Sequence, residues 1–220
     1  MEIKKFLFHL FLVNLLIAIC IWDRIVNIPK YPYCFFYMTQ IDLYLHIIYF
    51  LLITFEDLIY GKSYLSYQLL YNFCFALSFM VFAMFWSLMV YNPHTLYKKG
   101  ITIPFVLNFS LHGGVFFINL TEQLVINKRK GAEYVKWYVY LIFTFVYTML
   151  LKGLYELYEI KVYPFAVKSN KMLVAVNACG FGVAMIGHYF YRYLSKKGVS
   201  KLPRTYNEDY EKGTELIETK

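Results

Sequence analysis

Thr39 and His112, two polar side chains set in apolar stretches, are the residues here best suited to carry out a reaction. A hydroxyl facing an imidazole is the minimal set for nucleophilic acyl transfer. The imidazole takes the hydroxyl proton as the oxygen attacks a carbonyl, then returns it to the leaving alcohol. The stiff χ1 of threonine helps to aim such a nucleophile. A third group often fixes the tautomer of the base, and both Asn108 and Asp42 are candidates for that task. The side chains of Gln40 and Asn108 are candidate donors to an oxyanion. Each residue also has an ordinary alternative. A threonine in a membrane helix back-bonds to its own turn, a histidine ties helices together, and an aspartate near a helix start favours the positive dipole end.

The elements that must position these groups are helices. Thr39, Asp42 and His46 recur at i, i+3 and i+7, and Asn108 and His112 at i and i+4, so each set shares one helix face. Six windows hold enough apolar residues to span ~30 Å of hydrocarbon: about 6–22, 36–59, 69–91, 104–126, 137–157 and 172–194. Within lipid, backbone groups must bond inside their own segment, and the alternation of a membrane barrel is absent, which predicts an all-α, polytopic bundle. Residues 1–195 form the six-helix domain in this scheme, and 196–220 a polar, disordered tail. Asn92-Pro93 and Gly61-Lys62 punctuate the windows, and Pro104 suits a first helical turn. The first apolar run is followed by Asp23, Arg24 and Ile25 rather than a small-residue cleavage site, so it is expected to be retained as a helix.

Counting Lys and Arg orients the bundle. Lys4, Lys5, Lys62, Lys128, Arg129, Lys130, Lys136 and the tail from Arg192 outnumber those of the opposite loops by about two to one, which places both termini in the cytosol. The second and fourth helices then both run inward from the non-cytosolic side. His112 lies roughly 12 Å deep at 1.5 Å per residue, and Thr39 sits in the same leaflet. The two meet if their helices are neighbours.

Composition supports the membrane assignment. The chain is 60% hydrophobic with only 16% charged residues, against roughly a quarter charged in soluble domains. Its net charge of +8 is spread over loops and tails rather than along a polar helix face, which argues against nucleic acid as a partner. The expected partners are membrane lipids and an apolar substrate entering from the bilayer. Cys20, Cys34, Cys74 and Cys179 form no CxxC pair, so neither a disulfide framework nor a metal site is expected, and the chemistry calls for no cofactor. Asn108-Phe109-Ser110 and Asn119-Leu120-Thr121 fit the glycosylation pattern but fall inside a helix window. In the last window, Ala175, Cys179, Gly182, Gly180 and Ala184 predict close helix packing.

Four blocks in order along the chain resemble the androgen-induced protein family, the FAR-17a-like membrane hydrolases. They are Met38-Thr39-Gln40-Ile41-Asp42-Leu43 with Glu56-Asp57-Leu58; Phe85-Trp86 with Tyr91; Leu107-Asn108 with His112 and Glu122; and Val162-Tyr163-Pro164-Phe165. The resemblance implies a multi-pass hydrolase of lipid esters, such as fatty acid esters of hydroxy fatty acids, resident in the endoplasmic reticulum or another cell membrane. Its nucleophile falls on Thr39 and its base on His112. The chain departs from the pattern at Phe109-Ser110-Leu111, where the family usually reads His-Gly-x, and in a short loop between the second and third helices. Two other functions fit parts of the pattern. One is a haem-binding redox protein using His46, His112 and His188; the other is a non-enzymatic transporter or scaffold, for which no repeat or broken helix pair speaks.

Overall fold

The computed structural model describes residues 3–27, 34–60, 67–91, 103–126, 134–163 and 169–199. Helices dominate them: α1 (Ile3–Asn27), α2 (Met38–Tyr60), α3 (Gln68–Tyr91), α4 (105–126), α5 (Trp137–Tyr158) and α6 (Asn170–Val199). All but α4 are single helices long and apolar enough to cross a membrane. α4 is helical throughout, but α turns alternate in it with π turns at Ser110–Gly114 and Glu122–Ile126. The chain is therefore a polytopic helical bundle, as its composition predicts. The loop cations at 30, 62, 98, 99, 128–130 and 168, the helix-stopping pairs at 61–62 and 92–93, residues 164–165 and the tail from 200 lie outside the described residues.

Two helices outrun their expected ends for reasons visible in the packing. α1 continues through Asp23 because that carboxylate, though buried, accepts a hydrogen bond of 2.8 Å from Gln40 Nε2. α6 runs past 194, where the Ser195 side chain is buried and its hydroxyl accepts a hydrogen bond of 3.4 Å from Gln123 Nε2 on α4.

α3 occupies the middle of the bundle and packs on α2, α4 and α6, while α1 flanks α2 and α5 flanks α6. Its buried residues include Tyr71, Cys74, Phe75, Leu77, Met80 and Val81, which point to nearly every side of the helix. The α3–α6 approach is close because Gly187 allows it: a Cβ there would lie 2.9 Å from Phe79 Cβ and 3.1 Å from Ala76 Cα. Gly180, against Met80 Sδ, and buried Ala184 share that face. The other small residues do not join it. Ala175 and Cys179 are exposed, and Gly182 has nothing within 4 Å of its Cβ position. Small size at close spacing thus marked the right helix but only part of the right face.

Polarity is distributed inside out. Phe11, Phe55, Val106, Phe145 and Val174 face outward, whereas His9, Asp42, His46, Asn119 and Glu122 are buried. That suits a lipid surround, in which apolar groups need no shelter and polar groups need one another. At the end of the bundle formed by the start of α1 and the ends of α2 and α4, His9 Nδ1 is 2.5 Å from Asp57 Oδ2. Its Nε2 is 3.2 Å from both Glu122 oxygens. In the middle, Asn119 Nδ2 donates to His46 Nε2 at 2.6 Å and to Ser78 Oγ at 2.9 Å, tying α2, α3 and α4 together.

Candidate active site

At the opposite end of the bundle all six helices line one cavity of about 180 Å³, with Asp23 on α1, Thr39 on α2, Phe85 on α3, His112 on α4, Thr148 on α5 and Asn177 on α6. Most of the remaining wall is apolar, and Met80 and Met84 give it deformable surfaces. Its polar groups opposite the threonine are largely satisfied, since Asn177 Nδ2 donates to Thr148 Oγ1 at 2.9 Å and to the Thr144 carbonyl at 3.2 Å.

Thr39 stands at the N-terminal turn of α2 and is 8% exposed. Its hydroxyl makes no hydrogen bond among the described residues, not even the back-bond that Thr54 on the same helix makes to the Phe50 carbonyl. A cavity-lining threonine without that bond keeps both its proton and its lone pairs available to whatever enters.

His112 occupies the first π turn of α4, a distortion frequent at functional sites. Its Nδ1 is 3.0 Å from the Asn108 carbonyl, which can only accept, so Nδ1 carries the proton and Nε2 presents a lone pair. The ring stacks on Phe85 with centroids 3.5 Å apart. Nothing among the described residues bonds to Nε2. No hydrogen bond joins it to Thr39 either, as is common in unliganded sites, where such contacts tighten only on substrate.

His46 supplies an instructive contrast. Its Nδ1 likewise donates to the carbonyl four residues back, Asp42, at 2.7 Å, yet its Nε2 is filled by Asn119. One imidazole is closed and structural, the other open to a cavity. His188 Nδ1 lies 3.3 Å from Tyr140 Oη. A haem held by two of these residues would need two open ring nitrogens facing each other, and His46 does not supply one.

The supporting residues divide. Asn108 fixes the His112 tautomer through its backbone carbonyl. Asp42 lies 3.2 Å from His46 Nδ1, on the side of α2 away from the cavity. The i, i+3, i+7 face therefore splits between two tasks. Gln40 lines the cavity, but its amide is engaged: Nε2 donates to Asp23, and Oε1 accepts from Arg24 Nη2 at 3.2 Å. Arg24 also stacks over Phe35, 3.8 Å from the ring centroid.

Residues that the sequence did not single out hold the start of α2. Tyr147 Oη donates to the Phe36 carbonyl at 2.7 Å, and Tyr163 Oη accepts the Met38 N–H at 3.2 Å. Burial pushes the Tyr163 phenol above its ordinary value, so it meets that N–H as a neutral acceptor. Among 23 tyrosines neither had a distinguishing pattern, although Tyr163 lies in the fourth block of the resemblance. Asp23 did leave a signal, as an ionisable residue at the edge of an apolar run.

A family model described as FAR-17a/AIG1-like protein matches residues 4–196 of the chain. No curated protein matches it, and no solved structure does.

Proposed function

The chain belongs to the FAR-17a/AIG1-like family, and on that premise we propose that it is an intramembrane threonine hydrolase of lipid esters. The observation that carries this is the pairing of two unengaged groups, the Thr39 hydroxyl and His112 Nε2, on the wall of one largely apolar cavity. In the proposed cycle His112 Nε2 takes the hydroxyl proton while Thr39 Oγ1 attacks the ester carbonyl. The tetrahedral intermediate collapses, and the leaving alcohol takes the proton from His112, which leaves an acyl-threonine. A water molecule, deprotonated by the same nitrogen, then attacks the acyl carbon. The free acid departs, and Thr39 recovers its proton.

A lipid with an ester between two chains suits the cavity because only the scissile bond needs polar company. Fatty acid esters of hydroxy fatty acids are the first substrates to try. The membrane housing the chain is proposed to be the endoplasmic reticulum or another cell membrane, with both termini in the cytosol on the strength of the loop charges. The test is hydrolysis of such an ester by the protein in proteoliposomes, with Thr39→Ala and Thr39→Ser beside the native chain. Turnover lost in the alanine variant and partly kept in the serine variant supports the assignment. Equal turnover in all three refutes Thr39 as the nucleophile, and no turnover in any of them leaves the scaffold or transporter alternative.

A further inference from the structure

Building on the threonine-hydrolase reading, we propose that the backbone N–H of Thr39 itself is the oxyanion donor, left open because the flanking amides of the α2 start are tied up.

A helix begins with four N–H groups that no carbonyl of the helix can accept. In α2 these belong to Met38, Thr39, Gln40 and Ile41. Met38 N–H goes to Tyr163 Oη at 3.2 Å. Gln40 and Ile41 N–H share the Tyr37 carbonyl at 2.9 and 3.2 Å. Thr39 N–H alone has no acceptor among the described residues. Burying a backbone N–H without a partner is costly, and natural chains nearly always avoid it. Here the donor stands beside an equally unpartnered, nine-tenths buried hydroxyl at the cavity wall. Nucleophile and donor therefore belong to one residue. An oxygen that becomes negative when Thr39 Oγ1 attacks its carbon forms within reach of that N–H, at the positive end of a long helix. The side-chain alternatives are weaker, because Gln40 Nε2 is committed to Asp23.

The tyrosines account for the selectivity of the arrangement. Tyr147 fixes the Phe36 carbonyl and Tyr163 takes the Met38 amide, so the turn before Thr39 is clasped on both sides. Tyr163 is then a positioning residue, acting through the turn that carries the donor.

The experiment replaces single backbone amides by esters, using cell-free suppression with α-hydroxy acids in the full-length protein. At position 39 the hydroxy-acid analogue of threonine keeps the side-chain hydroxyl and removes only the N–H. At position 41 the same exchange removes a structural hydrogen bond and spares the Thr39 amide. The expected result is a fall in kcat of about 10²–10³-fold at 39 with KM nearly unchanged, and less than about tenfold at 41. Unchanged kcat at 39, or an equal loss at both positions, would overturn the assignment. Thr39→Ala, assayed alongside, separates the two levels. If it abolishes turnover while the ester at 39 does not, the nucleophile stands and the donor falls; if it spares turnover, both fall.

Discussion

His46 and His112 have the same local geometry, each donating Nδ1–H to the carbonyl four residues back, yet their replacement should have opposite consequences. His46→Leu removes two hydrogen bonds of 2.7 and 2.6 Å and the contact with the Asp42 carboxylate at 3.2 Å. Bonds between membrane helices contribute about 0.6–1.7 kcal/mol each, less than in water because the unfolded state in lipid also finds partners. Asn119, which loses its acceptor on His46, and the Asp42 carboxylate beside it add the cost of buried polar groups with one contact fewer, about 1–3 kcal/mol. A total of roughly 3 kcal/mol follows, with the membrane reference state setting it at the low end. His112→Ala loses one bond within its own helix and a ring stacked at 3.5 Å on Phe85, roughly 1–2 kcal/mol together. Its turnover should fall about 10³-fold or more. The assay is detergent-to-SDS unfolding followed by reaction of the buried Cys74 thiol, with ester hydrolysis on the same preparations. A His46→Leu protein of native stability and no activity, or a His112→Ala protein that unfolds but turns over normally when folded, would refute the division of roles.

Gly187→Val should destabilise the bundle by about 1–3 kcal/mol, because even a Cβ would press on Phe79. Gly182→Ala, in open space, should be neutral in the same SDS titration. His9→Leu removes the contacts of His9 with Asp57 and Glu122 at the end remote from the cavity; it should lower stability by about 3 kcal/mol and leave KM for the ester unchanged in the folded fraction. Protease protection in sealed vesicles should find the tags at both termini accessible from the cytosolic face, and protection of either would reverse the proposed orientation.

Much of this architecture follows from patterns with a strong physical cause. The spans were legible because an apolar run of helix length has few uses outside a bilayer, and helix starts such as 137 and 68–69 fall where polarity changes. The π turn around His112 left no such mark, because an inserted residue in a helix alters neither composition nor apolar length. Thr39 and His112 were legible as costly polar groups at membrane depth. Which histidine was open was not legible, because Asn119, which closes His46, lies on α4, far away in sequence. Asp57 and Glu122 stood out only as parts of a resemblance, and their meeting at His9 depends on how α1, α2 and α4 assemble. The clasp on α2 was invisible for a similar reason: it consists of backbone groups and two phenols among many.

The central claim is that Thr39 is the nucleophile, and covalent trapping tests it most directly. The solubilised protein is incubated with a fluorescent fluorophosphonate, digested and mapped by mass spectrometry, with His112→Ala in parallel. An adduct on the peptide bearing Thr39, lost in the His112 variant, is the predicted result. An adduct on another residue, or none from a preparation that hydrolyses lipid esters, would contradict it.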